Sequence, residues 1–129
     1  MGGTVGVKFL IIGLAGAGGA LARYLLAGLV QNASGSVFPW GTLAVNIGGC
    51  FAFGLVWAIT EKRLAVAAES RVYVLTGFLG AFTTFSTFAF ETTTMLRDAE
   101  YLFAVGNLTA HNTLGLLALF AGLALGALV

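Results

Sequence analysis

The sequence predicts an all-α membrane protein with four spanning helices. Three observations lead there. Of 129 residues, 59% are apolar and 9% are charged, whereas a soluble domain averages about 25% charged residues. The apolar residues run in long unbroken stretches, unlike the strands of about ten alternating residues in a membrane barrel. A helix needs about 20 apolar residues to cross about 30 Å of hydrocarbon, so four spans use most of the chain. The same composition argues against other classes. Disorder requires low hydrophobicity and high net charge, and the net charge here is +1. One cysteine, Cys50, excludes a disulfide scaffold. Without a basic stripe, no nucleic-acid partner is expected.

Span 1 covers residues 7–30 and includes IIGLAGAGGALARYLL. Its GLAGAGGA stretch is not a dinucleotide loop. The G-x-G-x-x-G match starting at Gly16 fails at Leu21, no strand precedes it, and the next acidic residue is Glu61. A cleavable leader fits loosely, with Lys8 before an apolar run and an Ala-x-Ala-like site at Ala20–Ala22. The run continues past Arg23 to Val30, so no cleavage is expected. Gln31–Pro39 carries turn chemistry and the only proline, and is the first expected loop. Span 2 covers 40–60. Glu61–Arg71 then holds five of the eleven charges and marks the second loop. Span 3 covers 71–96, and Arg97, Asp98 and Glu100 mark the third loop before span 4 at 101–128. The whole is one domain without internal repeats. With the N-terminus inside, Lys8, Lys62, Arg63 and Arg71 lie on the cytoplasmic side against Arg97 and Arg23 outside. That is a mild bias under the positive-inside rule, small enough to allow insertion both ways.

Polar groups within a span are costly and mark function. Span 1 has Arg23 and span 2 has Asn46. Span 3 carries TTFSTFAFETTT, with Thr83, Thr84, Ser86, Thr87, Glu91 and Thr92 to Thr94 around Phe85, Phe88 and Phe90. Span 4 has Asn107, Thr109, His111, Asn112 and Thr113. Every span thus supplies polar groups to an internal path or a subunit seam. In span 3, Phe82, Phe85 and Phe88 recur every three residues, and Phe85, Phe88 and Glu91 fall near one helix face. Ring edges are electropositive and can face an anion, or the rings simply fill a core. TGFLGAFTT is either a weak, broken helix lining a cavity or a tight helix crossing. Small residues four apart, including Gly13 and Ala17, Gly48 and Ala52, Gly54 and Ala58, and Gly122 and Gly126, suggest helix packing. No enzyme is expected. Ser86, His111 and Glu91 lack a nucleophile elbow, and one histidine with one cysteine on another span cannot build a zinc site.

GFLGAFTTFSTFAFE (Gly77–Glu91) resembles the signature of the Fluc, or CrcB, fluoride channels. GGALARY (Gly18–Tyr24) and GTLAVN (Gly41–Asn46) are similar to the family's first and second helices. The resemblance covers essentially the whole chain. It implies an antiparallel, dual-topology homodimer of four-span subunits in a bacterial-type inner membrane, with a broken third helix and two fluoride pores. The pore phenylalanines fall on Phe85 and Phe88, the pore asparagine on Asn46, the hydroxyl track on Ser86 and Thr87, and the acidic residue near the pore end on Glu91. A structural sodium ion at the dimer interface is implied, held by the backbone carbonyls of Gly80 and Thr83, with Arg23 near an aqueous vestibule. Gly115 and Ala89 stand where many members have serine. Thr113 and Asn112 are the candidate substitutes, and His111 falls at a helix-packing position.

The implied activity is passive export of cytoplasmic fluoride. A pore must replace the ion's water shell by several weak sites, which hydroxyls, an amide and ring edges provide. Two rivals stand beside this reading. A small proton-coupled multidrug exporter of four spans needs a membrane carboxylate, and only Glu91 offers one. A non-transporting assembly factor would use its polar groups for packing alone.

Overall fold

The computed structural model describes residues 2–61 and 68–129, with side chains from residue 5. Lys62 and Arg63, counted in the charge bias, lie outside the described residues. Helix α1 spans Gly2–Ser34 and α2 spans Trp40–Glu61. A third segment joins α3 (Ala68–Val72), a π-helical stretch (Tyr73–Leu79), α4 (Gly80–Phe82) and α5 (Phe85–Arg97). Helix α6 spans Tyr101–Ala127. Among the described residues, four segments are long and apolar enough to cross a membrane: Val5–Ser34, Trp40–Glu61, Ala68–Arg97 and Tyr101–Leu128. Large apolar side chains point outward along α1 and α6, among them Leu14, Leu21, Leu116 and Phe120. That is the surface lipid requires, because in hydrocarbon no apolar group needs to be buried.

The first loop is shorter than the sequence suggests. Gln31 was expected in a turn, yet α1 continues through Ser34. The reason is the Gln31 side chain. Its amide nitrogen donates to the carbonyls of Ser36 at 2.7 Å and Phe38 at 3.1 Å, and its oxygen accepts from Gly41 N at 3.1 Å. One side chain thus satisfies backbone groups that a membrane-edge loop would otherwise leave bare. Gly35 makes the turn at φ 58°, a conformation that costs glycine little.

The most extensive seam is α2 against α6. A Cβ on Gly54 would collide with the Leu119 carbonyl, and one on Gly122 with the Phe51 carbonyl. Gly126 lies against Ala58 and the Leu55 carbonyl, each 2.8 Å from its would-be Cβ. These small residues let the two backbones touch. Gly13 and Gly48 have open space instead, so their spacing does not mark a crossing within the chain. Gly122→Leu is expected to cost about 3 kcal/mol or more through overpacking. Unfolding in detergent checks this, with Gly6→Leu, which faces open space, as the near-neutral control.

The end of the bundle where α2 stops and α3 begins is tied by charge. Lys8 pairs with Glu69, and the Arg71 guanidinium lies 5.4 Å from the centre of the Trp57 ring. The α5–α6 turn closes with Ala99 in the left-handed region (φ 59°) and Glu100 N bonded to the Met95 carbonyl at 2.8 Å. This is the usual way a helix terminus satisfies its last carbonyls.

Candidate functional site

The site grows from two residues that leave helical geometry. Thr83 has φ −82°, ψ 157°, and Thr84 has φ −149°, ψ 106°. An interruption at this depth strands backbone groups unless side chains take them. Asn46 on α2 does so with both ends of its amide. Its oxygen accepts from Thr84 N at 2.8 Å, and its nitrogen donates to the Thr84 carbonyl at 3.1 Å. The Thr84 hydroxyl then caps α5, accepting from Thr87 N at 3.2 Å.

These substitutions have a consequence for two carbonyls. In an uninterrupted helix the Gly80 carbonyl would accept from Thr84 N, and the Thr83 carbonyl from Thr87 N. Both amides are committed elsewhere, to Asn46 Oδ1 and Thr84 Oγ1. Gly80 is exposed and Thr83 half-buried. The Arg23 guanidinium approaches the Thr83 carbonyl at 3.4 Å. In the single chain, therefore, Arg23 stands at one of the two carbonyls that the resemblance assigns to sodium. No group of three or more His, Cys, Asp or Glu side chains gathers at a metal-binding spacing among the described residues.

Beyond the interruption, α5 carries the hydroxyls and rings. Thr84 Oγ1 donates to Thr87 Oγ1 at 2.8 Å and lies 3.4 Å from Ser86 Oγ. Phe85 and Phe88 meet edge to face, with centroids 5.5 Å apart and planes at 60°. Their exposures differ sharply: Phe88 is 6% exposed and Phe85 78%. The period-three phenylalanine run does not form one continuous face, because the interruption separates Phe82 from Phe85. Phe82 stacks on Phe78 instead, with centroids 5.9 Å apart.

Glu91, one turn beyond Phe88, accepts from the Thr42 hydroxyl at 2.6 Å. Arg23, Thr87 and Glu91 share an open cleft of about 650 Å³ between α1, α2 and α5, with Asp98 and Glu100 at its rim. A second polar group lies behind Phe88. Thr92 receives a bond from Asn107 Nδ2 at 2.9 Å, His111 Nδ1 faces the Asn107 carbonyl at 3.1 Å, and the His111 and Phe88 rings are 4.3 Å apart.

Sequence reasoning counted Thr92 and Asn107 among the polar residues of their spans without giving either a role, and did not single out Thr42. Spacing carried a signal for two of them: Thr42 is four residues from Asn46, and Asn107 four from His111, so each pair shares a helix face. Asn112 and Thr113 are exposed in the single chain, and Asn112 donates to the Leu108 carbonyl of its own helix at 2.7 Å.

Residues 10–123 match the family model described as CrcB-like protein, Camphor Resistance (CrcB). The chain is 55% identical over 122 residues to a protein of Nitrosococcus oceani named fluoride-specific ion channel FluC, covering 95% of this chain and 98% of that protein. Proteins with the same name from Desulforapulum autotrophicum and Solidesulfovibrio magneticus are 54% and 56% identical, with the same coverage.

Proposed function

The chain belongs to the CrcB family, and from that premise we propose that it is a fluoride-selective channel that lets cytoplasmic fluoride leave down its gradient. It is a multi-pass membrane protein and not an enzyme. The proposal has the chain working in a bacterial inner membrane as an antiparallel homodimer with two pores. The observation that supports it best is the polar lining assembled around the Thr83–Thr84 interruption. Asn46 holds the backbone, Thr84, Ser86 and Thr87 supply neighbouring hydroxyls, and Phe85 and Phe88 present ring edges. Fluoride passing this stretch exchanges water for hydroxyl hydrogens and positive ring edges. None of these groups carries a fixed charge, so none holds the ion too strongly to release it. Glu91 lies at the far end of the path and Arg23 in the vestibule.

The exposed Phe85 ring and the open Gly80 carbonyl fit a surface that a second copy covers. Two antiparallel copies would bring two pairs of Gly80 and Thr83 carbonyls together. Neutral backbone oxygens freed by an interrupted helix are ligands suited to sodium. Arg23 would then have to share or leave the Thr83 carbonyl. That ion would supply a central positive charge and would hold the subunits together.

Removing sodium is expected to weaken the dimer by about 2.7 kcal/mol if the ion stands at about a hundred times its dissociation constant. Subunit counting in bilayers, with sodium exchanged for N-methylglucamine, checks this, and an unchanged dimer fraction removes the sodium proposal. The function itself is tested by fluoride efflux from liposomes holding the purified protein.

A further inference from the structure

Phe88 is held at two places, and both holds lead to Asn107. The first runs through side chains. Asn107 Nδ2 donates to Thr92 Oγ1 at 2.9 Å, and Thr92 Oγ1 donates to the Phe88 carbonyl at 2.8 Å. The second starts from the main chain. The Asn107 carbonyl faces His111 Nδ1 at 3.1 Å. The His111 ring packs on the Phe88 ring, with centroids 4.3 Å apart and planes at 36°. From α2, the Thr42 main chain also bears on the His111 ring. Phe88 in turn meets Phe85 edge to face.

This is a costly way to join α5 to α6. Asn107 is fully buried, yet its Oδ1 has no hydrogen-bond partner among the described residues. The one hydrogen of the Thr92 hydroxyl points to Phe88, so it cannot serve that oxygen. A buried acceptor left unpaired is destabilising, and an apolar residue of similar size would avoid it. A polar group kept inside a span at such a cost marks function.

We propose that Asn107 is the positioning residue of Phe88, fixing where that ring stands and with it the Phe85 edge. It acts through Phe88 and not on the ion. As a role in fluoride passage, this rests on the channel reading. A path of several weak sites loses one of them when a ring edge moves off its place.

Thr92 is the link, and it separates position from packing. Thr92→Val keeps the volume and loses the hydroxyl, whereas Thr92→Ser keeps the hydroxyl and loses a methyl. His111 is the only histidine, so its ring protons give one set of NMR signals from the full chain in micelles. The Phe88 ring against it displaces those signals from their free-histidine positions. Thr92→Val and Asn107→Leu are each expected to move them. Each is also expected to slow fluoride efflux about tenfold, equivalent to about 1.4 kcal/mol on the permeation barrier. Thr92→Ser is expected to restore both readouts. Signals unmoved in Thr92→Val overturn the proposal, as does wild-type efflux from a chain whose signals have moved. Signals that move in Thr92→Ser and stay in Thr92→Val assign the role to packing and overturn it too. Should Asn107→Leu not fold, the two threonine variants decide alone. The NMR signals need no ion flux, so a wild-type chain that passes no fluoride sinks the channel reading while the signals still decide what positions Phe88.

Discussion

Phe85→Ala is expected to reduce fluoride efflux from proteoliposomes by about 100-fold, equivalent to about 2.7 kcal/mol on the permeation barrier. The folded chain should survive the change. The Phe85 ring is 78% exposed and its main contact is the edge of Phe88, so truncation opens no core cavity. Phe88→Ala is a poorer test. Phe88 is buried against His111, and removing a buried ring costs about 3–5 kcal/mol of stability by itself. A loss of flux there would mix conduction with folding. Phe85→Ala with normal thermal unfolding and normal efflux would show that the ring edge takes no part in conduction.

Asn46→Leu is expected to have the largest effect on stability. The side chain it replaces holds both the N–H and the carbonyl of Thr84, at 2.8 and 3.1 Å. Leucine is of similar volume and offers neither bond. Each buried backbone group left unsatisfied costs about 1–3 kcal/mol, so the pair costs about 2–6 kcal/mol. Lipid offers no water to replace the lost bonds. Thermal unfolding in detergent measures the loss. Asn46→Gln, which keeps the amide but displaces it, should lie between Leu and wild type. If Asn46→Leu unfolds like wild type, the interruption at Thr83–Thr84 is held by something other than this clamp.

The apolar runs were legible in the sequence because a bilayer imposes one simple length on each span. The ends were less so. Gln31 and Ser34 look like turn residues, yet α1 includes both, because the turn chemistry of Gln31 is exercised by its side chain from within the helix. In span 3, the two glycines and the threonines after them in TGFLGAFTT suggested a weak point or a tight crossing. The backbone becomes extended at the last two residues of that stretch, Thr83 and Thr84, where Asn46 competes for the amide. That competition is between residues 38 positions apart, which local spacing cannot reveal. The residues quoted for the family resemblance do gather around this interruption. Thr42 stood only inside the quoted GTLAVN, and Thr92 was counted among the polar residues of span 3 without a role, since threonine in a membrane helix more often bonds to its own backbone. Thr92 does so here, and also accepts from Asn107. A polar layer of this kind depends on three helices meeting, and no single helix carries its pattern.

The proposed channel passes fluoride as an ion down its own gradient. Fluoride efflux from liposomes loaded with fluoride and potassium, followed by an ion-selective electrode, tests it most directly. Efflux is expected to begin only when valinomycin lets potassium carry the balancing charge, and not at all when chloride is the loaded anion. Efflux that requires a proton gradient, or folded dimers that pass no fluoride, would contradict it.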